Sequence, residues 1–323
     1  MTALYPLRFE PILRRYLWGG RRLGTELGKP LGEGDDYAES WEVCDHGSDQ
    51  SRVAIGPLAG TTLAELLTQR GDELLGMHHP QPRFPLLIKF LDAHRTLSVQ
   101  VHPNDEQAAR LDPPDYGKTE AWVVLGAAAG ATIYAGLKRG IDRETLAREV
   151  NRGNCEPCLH QFKPRQGDCV FIPAGTVHAL GEGLLIYEIQ QSSDTTFRLF
   201  DWNRLGADGK PRPLHVKQAL EVIDFDRGPV PPIEPTAGER EGVEILVRSD
   251  KFVLQRWTLA SSRLLMSDRR CHLVSVVEGE LRVEGDPSTE PLQRGCTILV
   301  PAAMPSVRLT PQEKTVALIA HLP

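Results

Sequence analysis

The sequence predicts a mainly β protein built from two related β-barrels, with a few helices inserted into the first. Three observations carry that expectation. Glycine and proline are frequent, 29 and 25 of 323 residues, and they cut the chain into short apolar runs of strand length. A β unit recurs. WVVLGAAAGATIYAG followed by GDCVFIPAGTVHAL in the first part has its counterpart in VSVVEGELRVEG followed by GCTILVPAAMPSV. Between the copies, Arg227 to Gly242 reads RGPVPPIEPTAGEREG, rich in proline, glycine and charge, as a linker or long surface connection would be. Residues 1–226 are therefore expected as one domain, 227–242 as the linker and 243–323 as a second, barrel-like domain.

The elements follow in order. Thr61 to Leu75 places Leu63, Leu66, Leu67 and Leu74 at roughly helical spacing, with Thr61 or Thr62 as a cap. Strands are expected over Leu86 to Leu91, Leu97 to Val101, Ala121 to Leu125 and Ala131 to Ala135. A second helix runs from Asp142 to Val150, opening on Asp142-x-x-Thr145. Strands return at Cys169 to Ile172 and Leu184 to Gln190. A third helix from Pro213 to Phe225 sets Val216, Leu220 and Ile223 on one face. The second domain reads as strand over Phe252 to Leu259, His272 to Val277, Glu280 to Val283 and Cys296 to Val300.

Composition narrows the function. Apolar residues make up 41% and charged residues 25%, ordinary values for a soluble globular chain. The net charge of −6, with no block of like charge, argues against a nucleic-acid partner, which usually leaves a basic footprint. A small anionic ligand stays open, since one or two placed cations suffice for it. Of the six cysteines only Cys155 and Cys158 form a C-x-x-C pair, with no second pair at zinc-ribbon spacing. Free thiols in a reducing cytosol are expected. No apolar run reaches membrane-spanning length and no signal-peptide core precedes Gly20, so the expectation is a cytoplasmic protein without a membrane partner.

The chemistry lies in three short segments. In LSVQVHPND, Gln100 and His102 are two apart on a strand, so both leave the same face while Val99 and Val101 leave the other. In GKTEAWVVL, Lys118 and Glu120 repeat that spacing. In PAGTVHAL, His178 follows a Pro-Gly turn. Taken singly, each histidine reads as a hydrogen-bonded core or surface residue and Lys118 as a solvated one. Gathered inside one barrel, Gln100, His102, Glu120 and His178 would make an N₂O₂ set for Zn²⁺ or another borderline divalent ion. The repeat limits this to one metal per chain. Eleven residues after Gly167 comes His178, whereas eleven after Gly295 comes Ser306.

Gly167 to His178 fits the second cupin motif, G-x₅-P-x-G-x-x-H, with Glu182 where Asn is usual; the first motif is partial, with Gln100 in place of its first His. The intervening HPNDEQAARLDPPDYGKTE looks like a lid or entrance loop. The segments LWGG (from Leu17), ESWEV (from Glu39), LIKFLDA, LSVQVHPND, GKTEAWVVL and PAGTVHALGEG through QQSSDTTFRLFDWNR resemble the type I mannose-6-phosphate isomerases, the short bacterial form, over roughly the whole chain. That resemblance implies two cupin-type (jelly-roll) barrels and interconversion of mannose 6-phosphate and fructose 6-phosphate through an enediol. It implies zinc on Gln100, His102, Glu120 and His178. It implies a catalytic arginine at Arg198 with Asp194 four positions before it, Lys118 beside the metal, and Lys89 and Ser98 at the phosphate end of a sugar phosphate. Gly117 stands where some longer members have His, so an imidazole base there does not carry over.

Lys118, the surroundings of Glu120 and Asp194 are the groups available to move protons, and the sequence does not choose among them. Two rival readings are an Fe²⁺ oxygenase of the same superfamily and a non-catalytic sugar sensor. Gln100 removes the three-His site the first needs, and no DNA-binding helix-turn-helix accompanies the second.

Overall fold

The computed structural model describes residues 3–206 and 209–323. It is mainly β, arranged as two units that each pair two antiparallel sheets. In the first unit the larger sheet runs Cys169–Ile172, Glu120–Ala127, Leu184–Gln191, Leu86–Ala93, Tyr37–Val43, Ile12–Gly20. The smaller runs Leu159–Phe162, Ile133–Leu137, His178–Leu180, Val99–Val101, Phe197–Phe200. In the second unit the larger sheet contains Thr297–Val300, His272–Glu278, Thr315–His321, Val253–Leu259 and Val243–Arg248, and Val307–Pro311 and Glu280–Val283 pair in the smaller one.

Alternation along these strands builds three cores. In Leu184–Gln191, Leu184 and Ile186 point into the first unit, while Leu185, Tyr187 and Ile189 join a core shared with the second. Leu254, Leu273, Leu299 and Leu318 meet them from the other side. Trp257, Val274, Val276 and Ile319 fill the second unit. A two-sided strand of this kind reads as a near-continuous apolar run, which is why Leu184 to Gln190 lacks simple polar alternation.

The helices form where expected, with shifted ends. Leu63–Leu75 opens on a capping box between Thr62 and Glu65, two orphan backbone N–H groups being met reciprocally. Arg143–Asn151 opens on Asp142, whose side chain accepts from the Thr145 amide. The third helix is shorter, Val216–Val222. Residues 213–215 are spent on the Arg198 strand instead. Arg198 N–H donates to His215 Nδ1 at 3.1 Å, and the His215 N–H donates to Arg198 O at 2.7 Å. Helices Arg143–Asn151 and Val216–Val222 cover the outer face of the smaller sheet.

Residues 227–242 do not hang free. Pro229 bridges Gly136, Ile233 bridges Cys169, and Thr236–Ala237 pairs with Val243–Arg248. Leu7–Arg8, at the start of the chain, pairs with Ile298 and Leu299 of the second unit. The six cysteines are unpaired. Among the described residues no helix is long and apolar enough to cross a membrane.

Candidate active site and metal centre

Inward-facing positions of the first unit are apolar at one end and polar at the other. Leu184 and Ile186 give way along the same face to Glu188 and Gln190, and Val124 and Trp122 give way to Glu120. Register lines these groups up. Trp41, Lys89, Glu188 and Trp122 are successive partners across the larger sheet, and Gln190 pairs with Glu120. On the facing sheet Arg198, Gln100 and His178 are successive partners. Two polar rows therefore face one cavity of ≈ 240 Å³, lined by Lys89, Ser98, Gln100, Lys118, His178, Asp194 and Arg198 among others.

Three loops are stitched together at the polar end. The Gly175 amide donates to His102 O at 2.9 Å, the Lys118 amide to Pro103 O at 3.0 Å, and the Ala174 amide to Thr119 Oγ1 at 3.2 Å. Gly175 has φ +84, and a Cβ there would press on Val222 O. Gly117 has a steric reason of its own. A Cβ would stand 2.5 Å from the Asp105 backbone nitrogen, so a larger residue has no room while the 104–105 backbone lies against it.

His102, Glu120 and His178 put one ligand atom each within 4.8 Å of the others, all buried. Each imidazole is oriented from behind: His102 Nδ1–H donates to Thr195 O at 2.8 Å and His178 Nδ1–H to Thr176 O at 2.9 Å. That tautomer leaves both Nε2 lone pairs free for a metal. Glu120 Oε1 is buried with no hydrogen-bond partner, 3.3 Å from His178 Nε2. An orphan carboxylate oxygen beside His178 Nε2, with Oε2 of the same carboxylate 3.6 Å from His102 Nε2, fits a divalent cation, and we conclude that this is a possible metal site. The Gln100 amide lies 3.3 Å from His178 Nε2.

Lys118 Nζ is bonded to Glu120 Oε2 and lies 3.0 Å from His102 Nε2. Burial, with the Lys118 charge, holds His102 well below the usual imidazole range and His178 at about 3. Both rings are therefore neutral near pH 7. Burial pushes the Glu120 carboxyl up, against the pull of Lys118.

Lys89 is buried with Nζ 3.5 Å from Glu39 and 3.7 Å from Glu188, and 4.7 Å from the Trp41 ring centroid. Burial opposes its charge, but Glu39 and Glu188 outweigh it and raise its pKa. Trp122 Nε1 donates to Glu188 Oε1 at 2.9 Å. Glu39, Glu188 and Trp122 were missed as site residues by the sequence reading. The available signal was a charged residue inside an apolar strand, at an even count from Ile186 and Gln190.

Arg198 is half-buried, and Phe197 and Leu199 leave the opposite face into the outer core. Its Nη1 donates to Pro213 O at 2.9 Å, and its Nε has no partner. It is not paired with Asp201, which is held by Arg204 and Arg212. Asp194 is exposed at the cavity edge.

The loop expected as a lid or entrance loop is pinned at several points. Asp115 accepts from Ser193 Oγ at 2.7 Å, Thr195 Oγ1 at 2.8 Å and Arg83. Asp105 accepts from the Gly117 amide at 2.8 Å and Gln191 Nε2 at 2.9 Å, and pairs with Lys251 of the second unit at 2.8 Å.

Known proteins resemble this chain over nearly its whole length. Residues 7–122 match the family "Phosphomannose isomerase type I, catalytic domain", and residues 243–319 match "Mannose-6-phosphate isomerase, cupin domain". The chain is 36% identical over 309 residues to the mannose-6-phosphate isomerase ManA of Bacillus subtilis, covering 94% of this chain and 95% of that one. It is 33% identical over 303 residues to the mannose-6-phosphate isomerase of Streptococcus mutans, covering 93% and 94%. The crystal structure of the mannose 6-phosphate isomerase from Bacillus subtilis superposes with a TM-score of 0.90 at 30% identity, covering 98% of this chain and 100% of that one.

Proposed function

This chain belongs to the type I phosphomannose isomerases and interconverts mannose 6-phosphate and fructose 6-phosphate, and we propose the following division of labour in its cavity. The observation that carries it is the meeting of Lys118, His178 and Arg198 on one cavity, with His102 and Glu120 grouped against His178 behind its wall. Gln100 would complete the ligand set through its amide oxygen, and borderline N/O donors suit zinc, one per chain. A divalent ion bound there supplies Lewis-acid charge for the oxygens on C1 and C2 of the sugar.

The protein's own groups do the rest. Arg198 approaches from the facing sheet, and its planar fork meets the negative charge that grows on those oxygens as the enediolate forms. Lys118, held by Glu120 Oε2, donates to the sugar oxygen nearest it. Asp194 makes no hydrogen bond or ion pair among the described residues, and we assign to it the proton that moves between C2 and C1. Ser98, buried in the cavity wall, and Lys89 are assigned to the phosphate end. The Lys89 charge is shared with Glu39 and Glu188, so the Ser98 hydroxyl gives the cleaner test of that assignment. The chain would work in the cytoplasm, since a charged sugar phosphate does not cross a bilayer unaided.

A coupled assay of fructose 6-phosphate formation, with metal measured on the same sample, tests this reading. One equivalent of zinc and activity lost on chelation are expected, with partial recovery on adding Zn²⁺ or Co²⁺. Full turnover in a metal-stripped sample would sink the metal assignment. Two equivalents per chain would sink its restriction to the first unit.

A further inference from the structure

The second unit holds a cavity where the first holds its active site, and register makes the equivalence strand by strand. The row Trp41, Lys89, Glu188, Trp122 of the first unit has its counterpart in Ile245, Gln255, Ile319, Val274 of the second. In the neighbouring row Glu120 pairs with Ile172 just before Pro173, and His272 pairs with Val300 just before Pro301. On the other side Glu39 pairs with Leu91, and Val243 with Trp257. The second cavity measures ≈ 260 Å³, close to the ≈ 240 Å³ of the first.

Its chemistry differs. Glu39 and Glu188 line the first cavity together with the cations Lys89, Lys118, Arg198 and Arg212, and Glu120 stands behind its lining residues Lys118 and His178. At the positions equivalent to Glu39, Glu120 and Glu188 stand Val243, His272 and Ile319. Arg240 and Arg248 line the second cavity, and Arg248 forms no ion pair among the described residues. Two acids also line it, Glu239 and Asp268. The charge of Asp268 is already met, by His272 Nε2 at 2.9 Å and Arg270 Nη1 at 3.1 Å. That bond fixes the His272 ring, whose Nδ1 is buried without a partner. Buried polar atoms are rarely left unpaired, so an orphan nitrogen on a cavity wall marks a place for a ligand group or water. The Trp257 indole is held by its N–H on Gln255 Oε1 at 2.8 Å and offers a flat apolar wall. The three-ligand group suited to a metal, among the described residues, is that of the first unit.

We propose that the cavity of the second unit binds a small organic anion, a carboxylate or phosphate on a compact carbon skeleton, held by Arg240 and Arg248 beside Trp257, with His272 Nδ1 accepting from a hydroxyl of the ligand. The site is separate from the isomerase cavity and independent of the roles assigned there. The two units carry a cavity at the same place in the fold, and the second has no acid at the positions equivalent to Glu39, Glu120 and Glu188.

Equilibrium dialysis of the full-length, metal-loaded protein against labelled inorganic phosphate and, separately, labelled lactate tests the proposal. The Arg240→Ala/Arg248→Ala variant changes only exposed or half-exposed side chains. It should keep kcat and KM for mannose 6-phosphate within about twofold and weaken one anion equivalent per chain about tenfold or more, the scale of lost charge-assisted hydrogen bonds. His272→Gln, read by the same dialysis, should weaken it too. A preference for phosphate or for lactate decides which anion the site takes. Unchanged binding in the arginine variant overturns the proposal. So does a single anion equivalent that is displaced by mannose 6-phosphate in step with inhibition, or binding of a metal ion by the second unit.

Discussion

Arg198 stands where the smaller sheet meets the cavity, with one guanidinium nitrogen on Pro213 O and its Nε unpartnered. A group that meets negative charge mainly as the enediolate develops acts on kcat more than on KM. Arg198→Ala should keep its metal and fold, hold KM within a fewfold, and lose on the order of 10²–10³ in kcat, the scale of a lost oxyanion donor. Arg198→Lys should recover only part. Steady-state kinetics with metal analysis decides, and near-normal kcat in the alanine variant removes Arg198 from the mechanism. Ser98→Ala tests the phosphate end. Losing one hydrogen bond to a charged group costs about 1.5–3 kcal/mol, so kcat/KM for mannose 6-phosphate should fall about ten- to a hundredfold, with free mannose little affected. Equal loss on both substrates would reassign Ser98 to support of the wall. Lys89→Ala is the poorer probe. It strips the cation from between Glu39 and Glu188, and breaking a buried pair costs about 3–5 kcal/mol through the charges left behind.

At the scale of an element, the loop from His102 to Glu120 is where positioning resides. Asp115 ties it to Ser193 and Thr195, and the Thr195 carbonyl orients His102. Asp115→Asn should weaken metal binding about ten- to a hundredfold, as loss of outer-shell support does, without touching a ligand. A competition titration with a chelating dye measures it, and unchanged affinity would break the chain from Asp115 to His102. The same residue predicts a pH dependence. Burial alone would raise its carboxyl, but His46, Ser193, Arg83 and Thr195 hold it below the ordinary 3.8. A depressed carboxyl stabilises the fold fully above that ordinary value, and the gain drains away as pH falls below it. Thermal melts should therefore show Asp115→Asn well below the parent at pH 7, with the gap beginning to narrow only as the pH falls below 3.8. A gap that stays constant with pH would contradict the electrostatic account.

For the whole molecule, the decisive feature is that the units share a core. Leu185, Tyr187, Ile189, Ile88 and Phe90 of the first meet Leu254, Leu273, Leu318 and Phe252 of the second. Phe252 is fully buried, with its ring edge-on to Phe171 at 6.2 Å. Phe252→Ala should cost about 3–5 kcal/mol, as large core truncations do. Because the contact lies between units, denaturant unfolding followed separately by activity and by Trp257-region fluorescence should shift together. A loss confined to the second unit would mean that the two fold independently. Residues 1–242 expressed alone would expose Tyr187, Phe90 and their neighbours to water, and aggregation is the expected outcome.

The sequence alone determined the fold class, most strands, the helices at Leu63–Leu75 and Arg143–Asn151, and part of the set of residues that line the cavity. These are properties of local pattern. Alternation places Gln100 and His102 on one face, a proline-glycine turn sets off His178, and the repeat of Gly167 to Pro173 at Gly295 to Pro301 is written in spacing. Tertiary structure decided what depends on partners far along the chain. Glu39 and Glu188 became neighbours of Lys89 only through strand register. The helix expected from Pro213 began at Val216 because residues 213–215 were drawn to Arg198. The expected lid or entrance loop became a pinned loop through Asp115 and Asp105, and Leu7–Arg8 crossed to the other unit. Each is a pairing in which local pattern is silent, because hydrogen bonds and ion pairs are chosen by proximity in space. The second cavity belongs to that class too, since His272, His321 and Arg248 carry no motif and meet only when the sheets close.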